Sequence, residues 1–241
     1  MSRLAEYKYQ LGKTEKQNMD LKNTLQEMQL ERAHLLLSEE REEANVLRSS
    51  VWTDRIIEVH WENPEAATEE ERNWVREAVR RTWEANSGLA FVGWDKATPT
   101  SRGIRIKIAE EGPHCKRLGK FLDGMPDGMV LNFSFGVWCP ACAIDRQGSI
   151  EKIAAHEFGH AIGFAHEQNR ADAPDWCQKE RQGSDGDWYI TLYDPESIMN
   201  YCNPRWNNAG LLSPKDIQAV QILYGPPPPA PPTPPIPAPA P

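Results

Sequence analysis

Hydrophobic and polar positions change rhythm several times along this chain, and each rhythm predicts a different element. Over residues 1–48, Leu4, Tyr7, Leu11, Leu21, Leu25, Met28 and Leu35 fall on a and d positions of a heptad frame in a polar, Pro-free stretch. That predicts a long helical extension, with Asn18 at an a position. A short coiled coil that self-associates and a solvated helix without a partner both fit the pattern. At about Val51 the texture shifts. Arg55 to Trp61 is rich in β-branched and aromatic residues and predicts a strand. Thr68, with Glu71 three residues on, forms a capping box that opens a helix. Trp74, Val75, Ala78, Val79 and Trp83 share one face of that helix, and Gly88 is its expected end. Leu89–Trp94, Gly103–Glu110 and Met129–Phe135 predict further strands. In the second of these, Ile104, Ile106 and Ile108 alternate with Arg105 and Lys107, which implies one buried and one wet face.

Ser149 is the expected N-cap of a second helix, with Ile150, Ile153, Ala154, Ala161 and Ile162 as its apolar contacts. From His166 to about Asp187 the chain is rich in Asp, Pro, Gly and Trp and reads as loop. Ser213 followed by Pro214 then starts a last helix, whose apolar residues are Ile217, Val220, Leu223 and Tyr224 and whose stop is Gly225. Pro226 to Pro241 is almost entirely Pro and Ala, a polyproline II tail without a core of its own. The order of elements predicts an α+β domain over 51–225: a small twisted sheet with helices on one side, then a mainly irregular C-terminal part ending in a helix. The helical extension over 1–48 precedes it, and the Pro-rich tail over 226–241 follows.

Charge narrows the choice of partners. The 241 residues carry 27 basic and 35 acidic side chains, for a net charge of −8. The first fifty residues are nearly balanced and the tail is uncharged, so the acidity belongs to 51–225. Nucleic acid is therefore not an expected partner, since phosphate binding needs a basic face. No apolar run is long enough to span a bilayer. The start, Met1-Ser2-Arg3-Leu4-Ala5-Glu6, lacks the apolar stretch of a secretory signal. The five cysteines, Cys115, Cys139, Cys142, Cys177 and Cys202, point to disulfides, and hence to a secreted or extracytoplasmic protein.

The candidate chemistry sits in His156-Glu157-Phe158-Gly159-His160-Ala161-Ile162-Gly163-Phe164-Ala165-His166. His156 and His160, four apart on a helix, face one metal ion. Glu157 is carried to the side of that ion as a general base. Gly163 allows a left-handed exit from the helix that brings round His166 as third ligand. Three imidazoles and an open position describe a catalytic Zn2+ site rather than a closed structural one. The string H-E-x-x-H-x-x-G-x-x-H resembles the metzincin signature.

Ser197-Ile198-Met199-Asn200-Tyr201 looks like the Met-turn of that group, which implies that Met199 forms an apolar floor beneath the ligands. Glu167-Gln168-Asn169-Arg170-Ala171-Asp172 and Tyr201 resemble the astacins, whereas Leu212–Gly225 looks more like the final helix of the matrixins. The resemblance covers about residues 51–225. It implies a zincin-like fold with a mostly parallel sheet, and a zinc endopeptidase acting on proteins or peptides. Tyr201 is then the residue that stabilises the transition state. In astacins the Glu after the third His pairs with the mature N-terminus; with a helical extension ahead of the domain, Glu167 needs another partner, such as Arg170. A catalytically weak scaffold that binds proteins on a helical stalk is the alternative, and the intact Glu157 argues against it.

Cys177 and Cys202 flank the loop between His166 and Met199, and a disulfide joining them would brace the rim of the cleft. Cys139 and Cys142 could form a redox or zinc pair completed by His114 and Cys115, could bond each other, or could leave one partner to Cys115. His60 and His114 have no partner at ligand spacing and read as surface or structural histidines.

Overall fold

The computed structural model describes residues 44–229. The heptad frame, and with it the expected coiled coil and self-association, lies outside the described residues, as does the tail from Ala230 onward. Among the described residues seven strands, β1 (Asn45–Val46), β2 (Ile56–Trp61), β3 (Ala90–Lys96), β4 (Ile104–Ile108), β5 (His114–Cys115), β6 (Met129–Leu131) and β7 (Trp188–Tyr189), form two sheets. The helices are α1 (Glu69–Val79), α2 (Arg146–Ala161), α3 (Asp175–Gln178) and α4 (Pro214–Tyr224).

The larger sheet has the order β3-β2-β4-β6-β5. Its first four strands are parallel, and β5 is antiparallel to β6 at the edge. Parallel neighbours need a crossover, and α1 supplies the one between β2 and β3. The result is an α+β domain with a mixed, mostly parallel sheet. Ile57, Val59 and Trp61 of β2 and Ile104, Ile106 and Ile108 of β4 are buried in one core with Val75, Ala78 and Val79 of α1 and Ile150, Ile153, Ala154 and Phe158 of α2. On the other face Arg105 is buried too, but its guanidinium donates to both Glu62 oxygens at 2.8 and 3.1 Å.

The Thr68–Glu71 capping box is present with both of its hydrogen bonds. Beyond Val79 the helix widens into a π turn over Arg80–Glu84. There the buried Trp83 Nε1–H donates to the Ala155 carbonyl at 2.8 Å and ties α1 to α2.

Several expectations need correction. Ala44–Ser50, ahead of the expected boundary near Val51, is no continuation of a long helix: it packs into the folded body and carries a single 3-10 turn, Arg48–Ser50. Val46 is fully buried, β1 pairs antiparallel with β7, and the Leu47 N–H donates to the Gly163 carbonyl at 3.1 Å. Asp145, not Ser149, caps α2: its carboxylate accepts from the Gly148 N–H, while the Ser149 hydroxyl donates to the Cys142 carbonyl at 3.0 Å. The strand expected through Phe135 stops at Leu131. There the Asn132 side chain accepts from the N–H groups of Ser134 and Phe135 at 3.0 and 2.9 Å, replacing the ladder with a turn. The stretch before Asp187, expected as loop, contains α3.

Candidate zinc site and cleft

The three histidines converge because of where α2 ends. Gly163 has φ 105°, its N–H bonds the His160 carbonyl at 3.0 Å, and the Phe164 N–H bonds the Gly159 carbonyl at 3.0 Å. These two bonds make a Schellman turn, which reverses the chain and returns His166 to the ligand face.

Each ring is fixed by a backbone carbonyl. Nδ1 of His156 lies 2.8 Å from the Ile198 oxygen, Nδ1 of His160 lies 2.8 Å from that of Phe164, and Nδ1 of His166 lies 3.0 Å from that of Gln182. A carbonyl only accepts, so every Nδ1 carries the proton and every Nε2 presents a lone pair. Those lone pairs face one another: Nε2 of His166 is 3.1 Å from that of His160 and 3.3 Å from that of His156. Tetrahedral coordination at the usual zinc–nitrogen distance would separate the ligand atoms by about 3.3 Å. Burial pushes the His156 imidazole down to about 3, and His160 and His166 down as well. Neutral, convergent and otherwise repulsive, the donor set fits Zn2+. Among the described residues it is the one cluster of three such side chains.

Met199, expected as an apolar floor, packs against α2 between the first two histidines. Met199 is buried, and a Cβ added at Gly159 would stand only 2.3 Å from its sulfur, so the glycine makes room for it. Glu167 lies behind the site: its carboxylate accepts from the Asp194 N–H at 2.9 Å and stands 3.4 Å from the guanidinium of Arg170. Burial pushes Glu167 up to about 8, against the pull of that cation. Arg170, fully buried, also donates to both oxygens of Asp172 at 2.8 and 2.7 Å and lies over the Tyr189 ring. The Glu167–Arg170–Asp172 spacing read in the sequence is thus one ion-pair chain, buried at Glu167 and Arg170 and open to solvent at Asp172. Glu157 is 4% exposed, its Oε2 has no hydrogen-bond partner, and burial pushes its carboxyl up to about 8. The Tyr201 ring is 4.4 Å from that of His166 and 5.5 Å from that of His156.

A bridge joins Cys177 and Cys202, and a second joins Cys139 and Cys142. Cys115 is left as the free thiol and donates to the Glu157 carbonyl at 3.3 Å. His60 sits on β2 beside Asp95 and Glu58, outside the three-His cluster. His114, on β5, lines the cleft next to the zinc site without joining the ligand set. Sequence reasoning missed Asn45, whose side-chain amide donates to the His166 carbonyl at 2.7 Å, and also Trp138 and Trp206 on the cleft wall. No local pattern marks these positions.

The sequence profile of Astacin, a peptidase family, matches residues 44–221. The chain belongs to the astacin family. With the three-His site intact, this astacin is a zinc metalloendopeptidase that acts on proteins. Among solved structures, myroilysin aligns at 18% identity and TM-score 0.55, covering 75% of this chain and 98% of that one. A second myroilysin structure aligns at 19% identity and TM-score 0.50, covering 73% and 86%. High choriolytic enzyme 1, a hatching enzyme zinc-protease from the medaka fish Oryzias latipes, gives 18% identity and TM-score 0.47 over 73% and 94%. The myroilysin likeness is one of fold. No curated protein matched. The two disulfides and the family suggest an extracellular setting, and no helix among the described residues is long and apolar enough to cross a membrane.

Proposed function

We propose that Glu157 is the general base of peptide hydrolysis and that Tyr201 stabilises the oxyanion. The observation that carries the first assignment is the orphaned Glu157 Oε2, a buried, unpartnered oxygen on a residue that lines the cleft with the zinc ligands. Elsewhere an unpaired buried carboxylate oxygen would be a fault; here it is left free for the proton that the reaction moves. Zinc, when bound by His156, His160 and His166, supplies Lewis acidity to that water and to the substrate carbonyl. Glu157 takes the water's proton at Oε2 and hands it to the leaving amine. Its raised pKa suits both halves of that transfer.

Burial pushes the Tyr201 hydroxyl up to about 12, so it remains a proton donor at neutral pH. From its place over the His156 and His166 rings it can donate to the carbonyl oxygen as charge develops there. An extended peptide adds to the free edge of β5, with Pro113 and His114 beside the cleft. A secreted or extracytoplasmic location belongs to this same reading.

The deciding experiment is Glu157→Gln. The variant keeps a stoichiometric zinc ion by metal analysis and loses casein digestion. Digestion at the wild-type rate removes Glu157 from the mechanism, and it also separates an enzyme from a scaffold that merely binds.

A further inference from the structure

Beside Glu157 opens a cavity of about 410 Å³ that the catalytic roles leave unexplained. Trp138 and Trp206 form its walls and the buried Ile153, three residues before His156 on α2, lies at its base. We propose that this cavity is the specificity pocket of the enzyme and takes a large uncharged side chain, aromatic or long aliphatic, from a substrate residue flanking the scissile bond. The proposal rests on the assignment of Glu157 as the base, since it places the scissile bond at the mouth of the pocket.

Position comes first. His156, Glu157 and Tyr201 line the pocket, so a side chain in it belongs to a residue next to the reacting carbonyl. A second cavity of about 280 Å³, on the side of His160 and His166, shares Glu157 and Tyr201 with the first. The two cavities form the two arms of one cleft, and they differ in charge. Lys116 lines the smaller cavity, whereas no Lys or Arg lines the larger. Lys152 borders only the neighbouring groove across Trp206 and pairs with Asp145 at 3.3 Å. Arg205, next to Trp206, pairs with Glu196 at 3.2 Å. An acidic side chain would thus be desolvated without a Lys or Arg to pair with, and a basic one would meet only the carboxylate that the reaction needs. Apolar area against two indoles meets neither obstacle.

Both tryptophans are exposed yet held. Trp138 is 42% exposed and Trp206 43% exposed, so neither is placed by burial in the core. Trp138 stands against Gly112, where an added Cβ would lie 3.2 Å from the indole nitrogen. Glu110 accepts from the Val137 N–H at 2.9 Å, and the next residue after Trp138 is bridged to Cys142. Trp206 precedes three left-handed residues, Asn207 (φ 47°), Asn208 (φ 47°) and Ala209 (φ 55°). The two asparagine amides donate to the carbonyls of Lys152 and Leu211 at 3.4 and 2.8 Å. Strained backbone that holds an exposed apolar ring at the mouth of a cleft is the arrangement of a binding wall.

Matched hexapeptides carrying Phe, Leu, Ala, Asp or Lys on either side of the scissile bond provide the test. Cleavage is measured with the full zinc-loaded chain, and binding by calorimetry on zinc-loaded Glu157→Gln, which needs no turnover. At one of the two positions, Phe and Leu are expected to surpass Ala, Asp and Lys by about tenfold or more. Trp206→Ala brings that ratio close to one with zinc content unchanged, and Trp206→Phe restores it, which separates pocket chemistry from misfolding. A preference for Asp or Lys overturns the proposal, as does a Phe-to-Ala ratio that survives Trp206→Ala combined with Trp138→Ala. Casein digestion without any side-chain preference overturns the pocket alone. Selective binding of the Phe peptide without any cleavage supports the pocket and overturns the Glu157 assignment instead.

Discussion

Each zinc-binding histidine commits one ring nitrogen to a backbone carbonyl, and that choice sets its tautomer, its orientation and its readiness to bind metal. The three carbonyls belong to Ile198, Phe164 and Gln182, residues from separate parts of the chain. At the rim, Tyr201 is the residue whose role is open to the sharpest test. Tyr201→Phe keeps the ring against His166 and His156 and removes only the donor. Its kcat is expected to fall by roughly 10²-fold, with KM little changed. An unchanged kcat removes the hydroxyl from the mechanism. The spacing of the ligands was legible in the residues alone, because a helix puts i and i+4 on one face. The partners of Nδ1 were not, because any residue can offer a carbonyl.

The capping box of α4 reaches well beyond its own helix. Asp216 accepts from the Ser213 N–H at 2.9 Å as a cap, and also from the Ser197 hydroxyl at 2.7 Å and the Ile198 N–H at 2.9 Å. The carbonyl of that same Ile198 holds the ring of His156. The last helix therefore orders the Met-turn, and the Met-turn orders a zinc ligand. Burial pushes the Asp216 carboxyl up to about 6 from its ordinary value near 3.8. With the folded value above the unfolded one, the folded state binds the extra proton between them. Its contribution is fullest below about pH 4 and is lost as pH rises through 6. The stability of the wild type relative to Asp216→Asn should therefore fall by an order of 1–3 kcal/mol between pH 4 and 7 in denaturant titrations. A gap independent of pH would mean that Asp216 does not titrate in this range.

The disulfides differ in the same element-level sense. The Cys177–Cys202 bridge spans 25 residues and Cys139–Cys142 spans 3. Replacing the first pair by serine is expected to cost about 3 kcal/mol, roughly twice the cost for the second, by chain entropy. Equal losses in urea midpoints would show that strain or contacts outweigh loop length.

At the scale of the molecule, the domain begins earlier than its texture announces. Val46 fills the core, Asn45 holds the His166 carbonyl, and the Ser50 oxygen abuts Gly119 so closely that an added Cβ there would lie 1.9 Å away. A chain cut to 44–225 is expected to fold, bind zinc and digest casein. One cut to 51–225, where the hydrophobic rhythm first changes, should lose zinc affinity and unfold at lower temperature. Equal melting temperatures for the two would show that β1 is dispensable.

Local chemistry accounts for much of this protein. The ligand string, the left-handed Gly163, the capping box at Thr68, the Ser213 N-cap and the alternating β4 all act within a turn or two of chain, so neighbours in sequence suffice to read them. Those signals were enough for an α+β zinc peptidase. The remainder came from residues far apart in the chain. Asn45 meets His166, Asp216 meets Ile198, and Trp138 and Trp206 close on one pocket from opposite sides of α2 in sequence. Such pairings follow from how the sheet, helices and loops pack, and packing leaves no periodic trace at either residue. The chemistry was written locally, while the support of its ligands and the shape of its cleft arose from long-range contact.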